Sequence, residues 1–369
     1  RFRNVTGVQT CALPIYGEYP FGYESLLSAA AMLDRGGSLF GAAHLLAVLY
    51  FIFAFCFLLR RFTSLPGGIT FYFVAALATA GVFLWVSRTS WFIYRYLVYT
   101  IGKNDLFLAA CLLAVILHAP IGPRENQRAW FPLGMAFATF LAAATKPNGL
   151  LVSAPLWLIA LPYLWQDVAL ERKSHPAGPQ AWKIFSCRVF VLGLVILPGA
   201  LWLARNFILQ GRAFSPDVTR LQQWSILHNL TNPYFYNYIP PELIQILAAG
   251  GLTLLLAIFI RRIHWTLPAT YFILLFTFAY TAQSGFYGSN QKPTDIGWRF
   301  GVTLITFSAV LIVTWASPRL NKAYAWLHRY RVLQLLGLLA ILVLTGRYLW
   351  EFRAVLKTYP GHEIVLRDQ

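Results

Sequence analysis

Acidic residues are scarce in this chain. Its 369 residues include 13 Asp and Glu, and charged residues of both signs make up 12%, about half the share found in soluble globular domains. That composition excludes an ordinary water-soluble domain. Cysteine is scarce as well, with four in all. Cys56, Cys111 and Cys187 lie in apolar segments and Cys11 near the beginning, at no spacing that suits a metal, so they read as small buried hydrophobes. There is no P-loop, no glycine-rich dinucleotide fingerprint, no HExxH and no paired-cysteine pattern. Chemistry by nucleotide hydrolysis or bound zinc is not indicated.

What the chain has instead is apolar residues, 58% of the total, with a mean hydropathy of +0.58. They come in blocks near 20 residues, the length that crosses about 30 Å of hydrocarbon. Spans are expected at roughly 39–59, 68–87, 105–120, 130–145, 149–165, 184–204, 242–260, 265–283, 300–317 and 332–350. The expected fold is an all-α, polytopic integral membrane protein of about ten transmembrane helices. Two of these spans are short and share the turn "TKPNG", where Pro147 and Gly149 should break the helix. They are two full crossings or one re-entrant hairpin, and either returns the chain to the side it left.

Charge sets the orientation. The net charge is +17, but the basic residues are spread over short loops between spans. The positive-inside rule, with anionic lipids or phosphate substrates, accounts for them better than nucleic acid does. "LLRRFTS", "GPRENQRAW", "LERKSHPAGPQAWK", "IRRIHW" and "SPRLNKAYAWLHRYR" fall on one face, which is then cytoplasmic. Of the acids, only Glu125, Asp167 and Glu171 share that face. "GEYPFGYESLLSAAAMLDRGG", residues 88–105, the long loop 205–241, "SGFYGSNQKPTDIGWRFG" and the tail 351–369 are expected on the outer face of a plasma-membrane protein. Chemistry is expected there.

The segment "VTGVQTCALPI" (Val5 to Ile15) reads as a translated sequencing adapter. Residues 1–15 are therefore set aside from the fold, as tags and fusion scars are, leaving 16–350 as the membrane domain.

Asp105 heads an apolar run on the outer side, preceded by Lys103 and Asn104. A carboxylate there either caps the helix and meets the positive end of its dipole or takes a proton from a substrate hydroxyl as a general base. Arg299 opens a span from the same side, and Arg205 with Asn206 closes one. Such cations either snorkel or bind an anion. Lys146 sits in the outer turn as an interfacial lysine or a substrate ligand. Together they describe an outward site with one carboxylate and several cations, suited to a hydroxyl acceptor and a phosphate leaving group. The loop stretch "WSILHNLTNPYFYNYIPP" is either an aromatic belt or a surface for sugar or lipid.

These pieces, in this order, resemble polytopic glycosyltransferases of the GT-C class. The nearest likeness is to the family 39-like group around the protein O-mannosyltransferases and the lipid A aminoarabinose transferase. "YPFGYESLLSAA" (Tyr19 to Ala30), which contains Tyr23, resembles the end of the family's first outer loop. "GKNDLFLAACLLAVI" resembles its second acidic motif, "LGMAFATFLAAATKPNGLLVSAPLWLIAL" its small-residue helix and Thr-Lys-x-x-Gly turn, "LARNFILQGRAFSP" its Arg-Asn stretch, and "GWRFGVTLI" its later span-opening arginine. The resemblance implies transfer of a hexose or pentose, with inversion, from a polyprenyl-phosphate donor to a lipid, glycan or protein hydroxyl at the outer or periplasmic surface. It implies Asp105 as the catalytic carboxylate, or as a support for the site or a divalent cation. Arg299, Lys146, Arg205, Asn206, Asn104, Lys103 and Tyr23 become donor-phosphate or substrate ligands. No cofactor is required with certainty, and metal dependence stays open. The family's principal base is an Asp in the first outer loop. That Asp and the span before it are expected upstream of the adapter-like segment, since Glu18 and Glu24 fit its position poorly.

Two other classes compete. A transporter or flippase of lipid-linked sugars would hold its functional charges near the midplane and show paired broken helices, whereas here they sit at the outer margin. A surface-polysaccharide ligase or polymerase would use a large outer loop with Arg and His, and His228 is the only histidine in the 205–241 loop.

Overall fold

A computed structural model describes residues 38–63, 105–121, 132–174, 180–211, 241–259, 264–281 and 301–327, with Leu335, Leu336, Leu339 and Val343 singly. Among these residues the protein is all helical. The elements are α1 (Ser38–Phe62), α2 (Asp105–His118), α3 (Leu133–Thr145), α4 (Pro147–Ser174), α5 (Gln180–Gln210), α6 (Pro241–Phe259), α7 (Thr266–Thr281) and α8 (Val302–Leu327). Three stretches are long and apolar enough to cross a membrane: Gly149–Gln166, Trp182–Leu209 and Val302–Lys322. Shorter apolar helices run from Leu106 to His118, Leu133 to Thr145 and Thr266 to Phe278. The expected spans 68–87 and 332–350 lie outside the continuously described residues.

The helices order themselves through specific contacts. Tyr50 of α1 faces Phe107 near the start of α2, with ring centroids 5.9 Å apart. At the other end, Arg61 donates to the carbonyls of Leu117, Ala119 (2.7 Å) and Ile121 (3.2 Å). The two helices therefore run parallel. The arginine also satisfies carbonyls left open where α2 terminates, where its charge meets the negative end of the helix dipole. A Cβ on Gly134, at the start of α3, would fall 2.7 Å from the His118 ring, so α3 returns antiparallel to α2.

The turn between α3 and α4 is tighter than the sequence suggests. Both Pro147 and Gly149 are expected to interrupt the helix, yet only Lys146 lies outside one, in an extended conformation (φ −153°, ψ 149°). Pro147 takes the first position of α4, where its fixed φ fits and its missing N–H costs nothing. Gly149 is helical, and its N–H donates to the Lys146 carbonyl at 2.8 Å. Its lack of a side chain matters for packing, since a Cβ there would lie 2.1 Å from the Ala142 carbonyl oxygen. The arms are unequal: α3 has 13 residues, about 20 Å, while α4 has 28, about 42 Å. The Trp157 indole N–H donates to Thr139 Oγ1 at 3.0 Å and clamps them antiparallel.

α5 packs parallel to α3. Ala136 and Leu192 share one buried cluster, and further along Gly199 lies against Phe140, Ala143 and Ala144. Tyr163 of α4 meets His264 and Trp265 just before α7, at ring separations of 6.4 and 6.5 Å. Phe278 near the end of α7 abuts Gly301 before α8, and Gly250 of α6 abuts Ser308 of α8. The main core joins Phe51, Phe55 and Leu58 of α1 with Leu113 and Ile116 of α2, Met135 of α3, Leu156 of α4 and Phe307 of α8.

Candidate functional site at one end of the bundle

These directions bring several sequence-nominated positions to one end. α3 ends there at Lys146 and α4 begins there. α5, parallel to α3, ends there with Arg205 and Asn206. α2, antiparallel to α3, begins there with Asp105. Packed helix axes lie 8–10 Å apart. The start of α2 and the ends of α3 and α5 thus fall within roughly 20 Å of one another.

Asn206 is fully buried, although α5 is the most exposed helix of the bundle. The reason is its phase. Leu192, Gly199 and Asn206 recur at seven-residue spacing, two helical turns, and all three are buried. They form the stripe that α5 turns toward α3, with Asn206 on its last step, beyond Gly199 and level with the α3–α4 turn.

Arg205 is exposed on the neighbouring face. Its guanidinium sits over the Trp202 ring, 4.6 Å from the centroid, and its Nη1 donates to Asn206 Oδ1 at 3.2 Å. A ring below and a buried amide beside it hold the guanidinium in one orientation. A planar fork fixed in that way suits a phosphate or carboxylate. Trp202 is the residue that sequence reading missed. Its signal was available in the i, i+3 spacing to Arg205, which sets the two side chains on one helical face.

Lys146 is partly buried, its N–H donating to the Ala142 carbonyl at 3.1 Å. Asp105 is the first residue of α2. Arg299, Asn104, Lys103 and Tyr23 lie outside the described residues.

The chain matches no protein-family model, no curated protein and no solved structure.

What the arrangement offers chemically is two cationic groups and one buried amide at one rim, with the start of α2 at the same end. Among the described residues no three His, Cys, Asp or Glu side chains gather at metal-binding distance.

Proposed function

We propose that the chain is a multi-pass glycosyltransferase of the plasma membrane. It moves a sugar from a polyprenyl-phosphate donor to a hydroxyl acceptor at the outer surface, within a GT-C-like bundle of about ten membrane helices. The observation that carries this reading is the convergence of the Lys146 turn, the Arg205–Asn206 pair and the Asp105 helix start at one end.

In this reading the acceptor oxygen attacks the anomeric carbon while its proton passes to the Asp105 carboxylate. The bond from that carbon to the phosphate oxygen breaks, and the polyprenyl phosphate leaves with the electron pair. Arg205 and Lys146, joined by Arg299, meet the charge that develops on the leaving phosphate. They do so at the edge of a low-dielectric region, where a fixed cation counts for more than in water. The prenyl tail remains in the hydrocarbon beside the apolar helices.

The test begins with donor recognition. A polyprenyl phosphate is titrated into the purified chain, and its affinity is compared with that of Arg205→Gln, Lys146→Gln and Asn206→Leu variants. Each loss of a charge-assisted contact is expected to weaken binding by about tenfold or more. Asn206→Leu should act through Arg205, so adding it to Arg205→Gln should cost little further. Equal affinity in all the chains refutes the site. Sugar transfer with Asp105→Asn, assayed with the expected upstream span and first outer loop restored, then tests the carboxylate, which should lose turnover while keeping donor affinity.

A further inference from the structure

The opposite end of the bundle carries a second constellation that the transfer reaction does not use. Trp165 of α4 and Trp182 and Phe185 of α5 form a three-ring cluster. The two indoles are 4.9 Å apart, and Phe185 meets them edge-on at 5.5 and 5.8 Å, with interplanar angles of 81° and 86°. Each ring would bury some 150–250 Å² in a protein core, yet Trp182 is 62% exposed and Trp165 40%. Two indoles locked together at a helix–helix junction and still uncovered are matched to a boundary layer, apolar on one side and wet on the other.

The length of α5 places that boundary. Trp182 and Trp202 are twenty positions apart on one continuous helix, which is about 30 Å, the thickness of a hydrocarbon core. Each tryptophan has a cation near it, Lys183 next to Trp182 in sequence and Arg205 over the Trp202 ring three residues on, and both cations are exposed. Beyond Ser186 and the partly buried Arg188, the exposed large side chains between them are apolar, among them Phe190, Leu194, Leu197 and Leu201. α5 thus presents a lipid-length strip with an aromatic–cation pair at each end.

We propose that the Trp165–Trp182–Phe185 cluster, with Lys183, is a binding site for an anionic phospholipid in the leaflet opposite the Lys146 end. The ring cluster takes the glycerol and upper acyl region, and Lys183 takes the headgroup phosphate, its stem lying along the apolar surface. Charge complementarity selects the partner. The connection into α5, "ERKSHPAGPQAWK", carries Arg172, Lys173 and Lys183 against the single acid Glu171, and a surface cation draws anionic headgroups to itself. The site requires membrane embedding but not glycosyl transfer, so the two readings fail separately.

The test is native mass spectrometry of the full chain, purified in detergent and supplied with an equal mixture of phosphatidylglycerol and phosphatidylcholine. The wild-type chain is expected to retain phosphatidylglycerol in preference. Lys183→Gln should reduce that preference about fivefold, the weight of one surface cation against an anionic leaflet, with the melting temperature unchanged. Trp182→Leu should lower retention of both lipids. An unchanged preference in Lys183→Gln overturns the proposal. So does a preference that follows Arg205→Gln instead, which would put the anionic lipid at the other end. A two-chain mass that disappears with Trp182→Leu would assign the patch to a second copy and overturn it as well.

Discussion

Gly199 allows α5 to approach α3 closely enough to set Asn206 level with the Lys146 turn, and its replacement offers a quantitative test. A Cβ at this position would lie 2.7 Å from the Phe140 carbonyl oxygen, 3.0 Å from Ala143 Cβ and 3.2 Å from the Ala144 nitrogen. Two of those atoms are helical backbone and cannot swing aside as a side-chain tip would. Relief to an ordinary contact near 3.4 Å requires the helices to part by more than half an ångström, about 0.7 Å. Overpacking of this kind costs roughly 1–3 kcal/mol. Gly193 is an internal control, because a Cβ there meets nothing within 4 Å. Gly193→Ala on the same helix should be neutral or stabilising by about 0.5–1 kcal/mol, the usual gain of alanine over glycine inside a helix. Thermal unfolding of both variants in one detergent, followed by tryptophan fluorescence, reads the difference. Gly199→Ala should melt clearly below wild type and Gly193→Ala at or above it. Equal shifts for the two variants would refute the α3–α5 packing, and the placement of Asn206 would fall with it.

Two more outcomes follow from other contacts. Arg61→Met takes a donor from the carbonyls of Leu117, Ala119 and Ile121, of which that of Ala119 still accepts from the Ile121 N–H; each group left without a donor costs about 1–3 kcal/mol where water cannot reach it, so the variant should melt well below wild type. Arg61→Lys should recover only part of the loss, since an ammonium on a flexible stem does not reproduce the guanidinium fork; full recovery would show that charge alone matters there. Trp157→Phe keeps the ring packing but deletes the N–H that reaches Thr139, and should cost about 1 kcal/mol. The further change Thr139→Val should then add less in that background than it does in wild type, and a purely additive result would mean that the indole–hydroxyl contact does not couple the α3–α4 hairpin.

Hydropathy locates the helices well because burial in lipid demands long apolar runs whatever the neighbours are. It fails at their ends. α4 is expected to stop near residue 165 but continues to Ser174. The segment "DVALERKS" is polar yet built largely of helix formers, so the helix outlasts the hydrophobic signal. α8 likewise runs past the expected 317 to Leu327, through Pro318. Phase is the other weakness. α5 is apolar nearly all round, so the stripe of Leu192, Gly199 and Asn206 is invisible to any measure of amphipathicity and emerges only from which residues are covered. The candidate site was legible as a set of polar residues near span ends. Its convergence depends on which helices run parallel, and spacing alone does not carry that.

Arg61 and Arg205, at opposite ends of the bundle, show why counting basic residues is a coarse guide to function. Arg61, in "LLRRFTS", belongs by sequence to the charges that orient the chain, and any loop cation would serve that purpose. In the fold its guanidinium turns back on the protein and donates to three main-chain carbonyls. An arginine has five N–H donors in one plane, and a group committed in this way to closing a helix has little left with which to recognise an anion. Arg205 is held differently. One amide oxygen accepts one of its donors and an indole face supports the plane, while the residue stays exposed. Position relative to the membrane gives both residues the same description. What separates them is the backbone each one meets: α2 leaves carbonyls uncovered within reach of Arg61, whereas the last turns of α5 offer Arg205 a ring and a single side-chain oxygen. The charge of Arg61 is therefore part of the fold, and that of Arg205 is available to a ligand.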